Sequence, residues 1–253
     1  GTTTVLVRRA PLGRMALSPG GETLALARSA EDGSRVQVRD TTTGDLLAER
    51  EVAGYATILD ADAQRVLISS WRPQRTYLWR TAADRLRTVL RKPAYAGDLA
   101  LDRLAWFGRD PYAGGCSIVA ELSDLDQRVW RSCRDAVESW SPDGSRMLTM
   151  HKLTDGVGPS AVSLRDAEGT LLARYAVHGW FSSLDWEDGQ TVLLGTNARR
   201  HYAVVRCDGE LCERASDLEP AHPARQNMTV ENRALSRNPT RAEARRAGAV
   251  PTV

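Results

Sequence analysis

An all-β fold of at least five four-stranded antiparallel units is what this sequence predicts, and three observations predict it. A segment near the start of the 253-residue chain recurs past its middle, across a whole unit of about 41 residues. Weaker copies fill the gaps at a steady spacing. No comparably long window shows the 3.6-residue apolar periodicity of a helix. A period of about 40–45 residues with four short strands per unit is the signature of a propeller blade. The predicted architecture is therefore a β-propeller.

The repeat is plainest in Met15–Ala27 (MALSPGGETLALA) and Glu138–Met150 (ESWSPDGSRMLTM). Each holds an apolar strand, a Ser-Pro-Gly/Asp-Gly turn and a second apolar strand. A polar loop follows, then a β-rich stretch ending in Arg-Asp: Val36–Asp40 in the first copy, Val162–Asp166 in the second. A turn then leads to Leu46–Ala48 and to Leu171–Ala173. Weaker copies occupy Leu59–Ile68, Leu101–Trp106 and Asp185–Leu194, so that the turns begin near Ser18, Asp60, Leu101, Ser141 and Asp185, about 40–44 residues apart. Calling the strands of each unit a to d from the inside out, strand a is expected at Arg14–Leu17, Tyr55–Ile58, Asp98–Leu101, Val137–Trp140 and Phe181–Leu184. The propeller spans 14–217. Residues 1–13 contribute one more strand-like segment, Thr4–Arg8, as the edge or closing strand of a blade. Residues 218–253 turn to Pro, Arg, Ala and Asn with little apolar pattern, which reads as a polar tail or a strap on the ring.

The Ser-Pro-Asp/Gly-Gly turn, the apolar strand after it and the Arg-Asp dipeptide where a Trp-Asp would sit resemble the WD40 and TolB-type β-propeller families. The resemblance covers five units. The Gly-His dipeptide of WD40 repeats is absent and no repeat carries a true Trp-Asp pair, so the likeness is to the looser bacterial group. It implies a fold and leaves function open, because propellers host many unrelated activities.

Charge excludes one class of partner. Thirty-four basic against 32 acidic residues leave a net charge of +2, without the basic excess that a nucleic-acid binder needs. No apolar run approaches the roughly 18 residues that cross a bilayer, so a membrane enters only through an anchor expected upstream of Gly1. The four cysteines form two pairs. Cys116 and Cys133 lie equally far from a c–d turn centred on Asp124 and Leu125, and Cys207 and Cys212 flank the turn at Gly209 and Glu210. Opposed cross-strand positions lie about 4.5–5.5 Å apart, within disulfide reach. Neither pair has zinc-knuckle spacing. Two disulfides place the domain outside the reducing cytosol, in an extracytoplasmic setting.

Chemistry-bearing motifs are missing: no Gly-x-Ser-x-Gly elbow, no phosphate loop, no His-Glu-x-x-His. The acidic pairs (Asp60 and Asp62, Asp124 and Asp126, Glu187 and Asp188) fall in predicted turns, where Asp bonds its own backbone. No cofactor is expected. In a propeller the b–c and d–a loops share one face, and here they read as long and chemically distinct: Trp71–Arg75, Asp110–Gly115, Thr154–Pro159 and Asn197–His201, with Tyr55, Tyr95, His178 and Trp180 on the d–a crossings. Exposed aromatics and arginines anchor interfaces. The candidate binding residues are Trp71, Arg72, Tyr112, His151, His178, Trp180 and His201, for a protein or small-molecule ligand that the sequence does not identify. A metal held by His151, His178 and His201 is the sharper alternative to three locally bonded histidines, and the second is preferred. The favoured function is a non-catalytic binding module, with the sensor or docking domain of an anchored envelope protein as the role it suggests. The competing one is a hydrolase or lyase with Asp98 and Glu138 at the central channel.

Overall fold

The computed structural model describes residues 15–154 and 156–221. The expected strand Thr4–Arg8, His222 and the rest of the tail lie outside them. Among the described residues twenty-one strands make five sheets, each with its first four strands in chain order. Blade 1 is β1 (Met15–Leu17), β2 (Thr23–Ala30), β3 (Gly33–Asp40) and β4 (Leu46–Ala53). Blade 2 is β5 (Ala56–Ala61), β6 (Arg65–Trp71), β7 (Gln74–Arg80) and β8 (Arg85–Leu90). Blade 3 is β9 (Ala94–Asp98), β10 (Arg103–Phe107), β11 (Ser117–Glu121) and β12 (Arg128–Ser132). Blade 4 is β13 (Asp135–Trp140), β14 (Arg146–His151), β15 (Ala161–Asp166) and β16 (Leu171–Ala176). Blade 5 is β17 (Gly179–Trp186), β18 (Thr191–Ala198), β19 (His201–Asp208) and β20 (Leu211–Arg214), and β21 (Glu219–Pro220) also pairs β19. The fold is an all-β propeller of at least five four-stranded antiparallel blades. Among the described residues its one helical element is a single 3-10 turn, Pro111–Ala113.

The described residues divide into two compact units, 15–107 with 118–128, and 108–117 with those from 129 to 221. In the first unit, one core gathers Ala25, Ala27, Val36 and Val38 of blade 1 with Ile58, Val66, Ile68 and Trp79 of blade 2. A second core joins Leu67 and Leu78 to Leu104, Trp106 and Ala120. In the second unit, Leu148, Val162, Leu164 and Tyr175 of blade 4 pack with Phe181, Trp186, Val192 and Leu194 of blade 5. Alternate residues along each strand supply these cores, as a two-faced strand requires.

The repeated motif explains the repeated geometry. Ser18 and Ser141 are buried at the a–b turns. Their hydroxyl oxygens accept the N–H of Thr23 (3.1 Å) and of Arg146 (2.9 Å), and their carbonyls accept Gly21 and Gly144. Those two glycines take φ of +77° and +72°, a region that costs other residues energy. The Arg-Asp dipeptide closes the c–d turn. Arg39 and Arg165 donate through Nη1 to the carbonyls of Gly44 and Gly169, both at 2.9 Å. The following Asp40 and Asp166 accept turn N–H groups at Thr42 and Thr43, and at Thr170. In blade 2 a tryptophan holds the corresponding turn, with Trp79 Nε1 donating to Asp84 at 3.0 Å.

Three local expectations need correction. Strand a of blade 3 is Ala94–Asp98, so of the expected strand Asp98–Leu101 only Asp98 is in it and the rest is turn, because the Asp98 carboxylate accepts the N–H groups of Ala100 and Leu101. Asp60 lies inside strand β5, where Asp62 alone caps the turn by accepting Gln64 and Arg65 N–H. The b–c connections of blades 2 and 5 are tight. Trp71 pairs with Gln74 and Ala198 with His201, leaving only Arg72–Pro73 and Arg199–Arg200 as turns. The polar residues there occupy paired strand positions, and only the connections of blades 3 and 4 are long. Both disulfides form as the sequence predicts, Cys116–Cys133 and Cys207–Cys212. The second pair is directly opposed in the β19–β20 ladder.

Candidate binding site

In the first unit the b–c and d–a connections bring Tyr55, Trp71 and Arg72 together. The ladder of β5 and β6 pairs Ala56 with Ser70, so the next residues outward, Tyr55 and Trp71, face each other, and Trp71 N–H donates to the Tyr55 carbonyl. Buried serines fix this backbone. Ser70 Oγ donates to Ala53 O, Ser34 Oγ donates to Gly54 O, and Ala56 N–H donates to Ser34 Oγ, all at 2.8–2.9 Å. A β-carbon on Gly54 would stand 1.5 Å from the Arg72 carbonyl, so only glycine admits this approach. On that fixed backbone Tyr55 is 66% and Trp71 60% exposed, and Arg72 is exposed beside them. Trp71 is not packed between blades. Tyr95, expected on a crossing, instead lies in β9 and stacks on Phe107 at 4.6 Å.

In the second unit the loops are stitched by backbone. Lys152 Nζ donates to Gly115 O at 2.7 Å, which ties the blade 4 loop to the loop carrying Tyr112. Phe181 N–H donates to Pro159 O and Val177 N–H to Ser160 O. Tyr112 is 79% exposed on the 3-10 turn capped by Asp110. His151, His178 and His201 are exposed, and Trp180 is half-buried in β17. Two of the three histidines are bonded locally: Leu153 N–H donates to His151 Nδ1, and His201 Nδ1 meets Arg199 O. Among the described residues no group of three His, Cys, Asp or Glu side chains is placed to hold a metal ion. His151 also lines a recess with Arg134, Arg165 and Arg174, residues that sequence reasoning passed over. Their alternation with Val162, Leu164 and Ala173 reads as an ordinary solvent face.

The acids offered for catalysis are engaged in structure. Asp98 spends its carboxylate on the turn N–H groups, and Glu138 sits where the β13–β14 register shifts. Asp60 is the perturbed one. Burial pushes its carboxyl up to about 6, against the Leu99 and Ala61 N–H groups that favour the charged form, with Asp98 and Asp62 adding repulsion.

No protein-family model matches the chain, and no curated protein matches it. Solved structures do match. An uncharacterized protein of Listeria monocytogenes, lmo1340, superposes with a TM-score of 0.57 at 13% identity, over 83% of this chain and 71% of that one. The β-propeller domain of Swd1 from Myceliophteria thermophila gives 0.55 at 9% identity, over 83% and 72%. Kuenenia stuttgartiensis hydrazine synthase gives 0.53 at 13% identity, over 79% of this chain and 64% of its own, so the chain spans less than two thirds of it. At these identities the likeness is one of fold alone.

Proposed function

We propose that this chain is an extracytoplasmic, non-catalytic binding module that engages its ligand or partner through the b–c and d–a connections. The observation that carries this reading is the Tyr55 and Trp71 pair: two large aromatics, largely exposed, on a backbone fixed by buried serines. Such a pair adds nothing to the core and supplies rigid contact area at low entropic cost. Arg72 beside it adds a planar donor fork, and within the second unit Tyr112, His151, His178, Trp180 and His201 offer residues of the same kinds. The two disulfides support an oxidising compartment. The Ser-Pro-Asp-Gly turn and the Arg-Asp dipeptide support placing the chain with the TolB-type propellers, as the sensor or docking domain of an anchored envelope protein.

The test compares cross-linked capture from an envelope extract by the wild type, a Trp71→Ala/Arg72→Ala variant and a Glu168→Ala variant on the c–d turn of blade 4. Melting temperatures are recorded for all three. The expected result is capture lost in the first variant and kept in the second, with melting unchanged. Capture kept by the first and lost by the second would put the site elsewhere.

A further inference from the structure

A recess of about 140 Å³ opens on one face of the blade 4 sheet, within the second unit. The ladder sets its lining: Thr149 pairs with Ser163, Ser163 with Arg174, and Asp135 with His151. Arg134, just after Cys133, and Arg165 complete its charged groups. Three guanidinium groups and an imidazole therefore surround a single carboxylate, a formal excess of two positive charges with the imidazole neutral.

The cations are not equally occupied. Arg165 is fully committed: it donates to Asp135 at 2.8 Å, to Thr149 Oγ1 at 3.2 Å and to Gly169 O at 2.9 Å, and lies over the Trp130 ring. That bond leaves little of Asp135 for others, and Arg134 approaches it only to 3.9 Å. The Arg174 guanidinium makes no hydrogen bond or ion pair among the described residues. Its backbone and that of Arg134 are nonetheless fixed. Arg174 sits mid-strand in β16, and Arg134 follows a disulfide and accepts Lys152 N–H through its carbonyl. Like charges gathered at a fixed, partly enclosed site repel unless an anion joins them.

We infer that this recess binds one phosphate group, as the free dianion or as a phosphate monoester. Its charge matches the excess, its oxygens match the guanidinium fork, and the volume fits a head group rather than a drug-sized ligand, which takes roughly 300 Å³ or more. The inference is independent of the loop site, which uses other residues apart from His151.

The probes are sodium phosphate and phenyl phosphate, titrated against sodium chloride of equal ionic strength and followed by amide shifts in 15N-labelled protein. The expected result is saturable movement at 134–135, 149–151, 163 and 174. Arg174→Gln should weaken it roughly tenfold or more, the loss expected of a charge-assisted contact, with unchanged melting in phosphate-free buffer. Trp71→Ala/Arg72→Ala should leave it intact. Binding of both probes upholds an ester head group, and binding of inorganic phosphate alone upholds the free ion. No shift beyond that of chloride, or binding indifferent to Arg174→Gln, overturns the inference.

Discussion

Ser141 shows how one small side chain sets a turn. Its hydroxyl accepts Arg146 N–H and donates to Asp143, so a single buried oxygen joins both strands to the turn. Ser141→Ala removes that oxygen and leaves a backbone donor unmatched, which costs about 1–2 kcal/mol; urea unfolding measures it. The sequence announces this role, because the same Ser-Pro-x-Gly recurs at Ser18. Asp60 is the opposite case. The Leu-Asp-Ala-Asp string looks like a turn, yet Asp60 is in strand β5 and half-buried. Its folded value of about 6 stands above the ordinary 3.8, so the folded state holds the proton more tightly than the unfolded chain. Stability from this group is present at pH 4 and is lost as pH rises through 6. Between those limits Asp60 removes up to about 3 kcal/mol. Asp60→Asn, uncharged throughout, should flatten that slope, whatever fixed cost it pays for a lost acceptor. A variant whose stability falls with pH as steeply as the wild type would show Asp60 to be ionised well below 6.

At the scale of elements, hairpins were legible wherever side-chain chemistry marks the turn. Cys207 and Cys212 flank a two-residue turn and are paired in register, as symmetric spacing about Gly209 and Glu210 requires. Loop length then ranks the bridges. Seventeen residues separate the first pair and five the second, so serine replacement of both members should cost about 3 kcal/mol for Cys116–Cys133 and about 2 for Cys207–Cys212 in the chain-entropy view. Denaturant unfolding of the two double variants checks the ranking. An equal or reversed order would mean that the bridges act through the folded blade edges instead. Legibility failed where a turn wears a strand's composition. Leu99 and Leu101 extend the apolar run after Asp98, and only the carboxylate's bonds to two following N–H groups reveal the reversal. The converse happened at Gln74 and Arg75, polar residues that look like loop but sit in the β6–β7 ladder. The end of blade 5 was equally opaque. Ala215 N–H donates to Val204 O, Ala221 N–H donates to Arg200 O, and Glu219–Pro220 pair with β19, so the polar stretch past Arg214 runs along the strand edge with no apolar pattern to mark it.

At the scale of the molecule, averages hide what matters for binding. A net charge of +2 conceals the gathering of Arg134, Arg165 and Arg174 around one carboxylate, because the fold brings together positions 9–40 residues apart in sequence. Aromatic content conceals the contrast among the seven tryptophans in the same way. Trp79, Trp106, Trp130 and Trp186 are buried, Trp140 and Trp180 are half-buried, and Trp71 alone is exposed. Composition alone cannot separate display from inter-blade packing at Trp71, since a large aromatic serves either purpose. The two roles predict different spectra. If Trp71 is displayed, it dominates the fluorescence that iodide can quench, and Trp71→Phe removes most of that fraction while shifting stability by less than about 0.5 kcal/mol, as surface changes do. Emission from the variant should also move to shorter wavelength, because the water-exposed indole is gone. If Trp71 were packing, the same change would leave a cavity, lower the melting temperature by several degrees and spare the quenchable fraction. Iodide titrations and thermal melts of the two proteins therefore check the display of Trp71 directly.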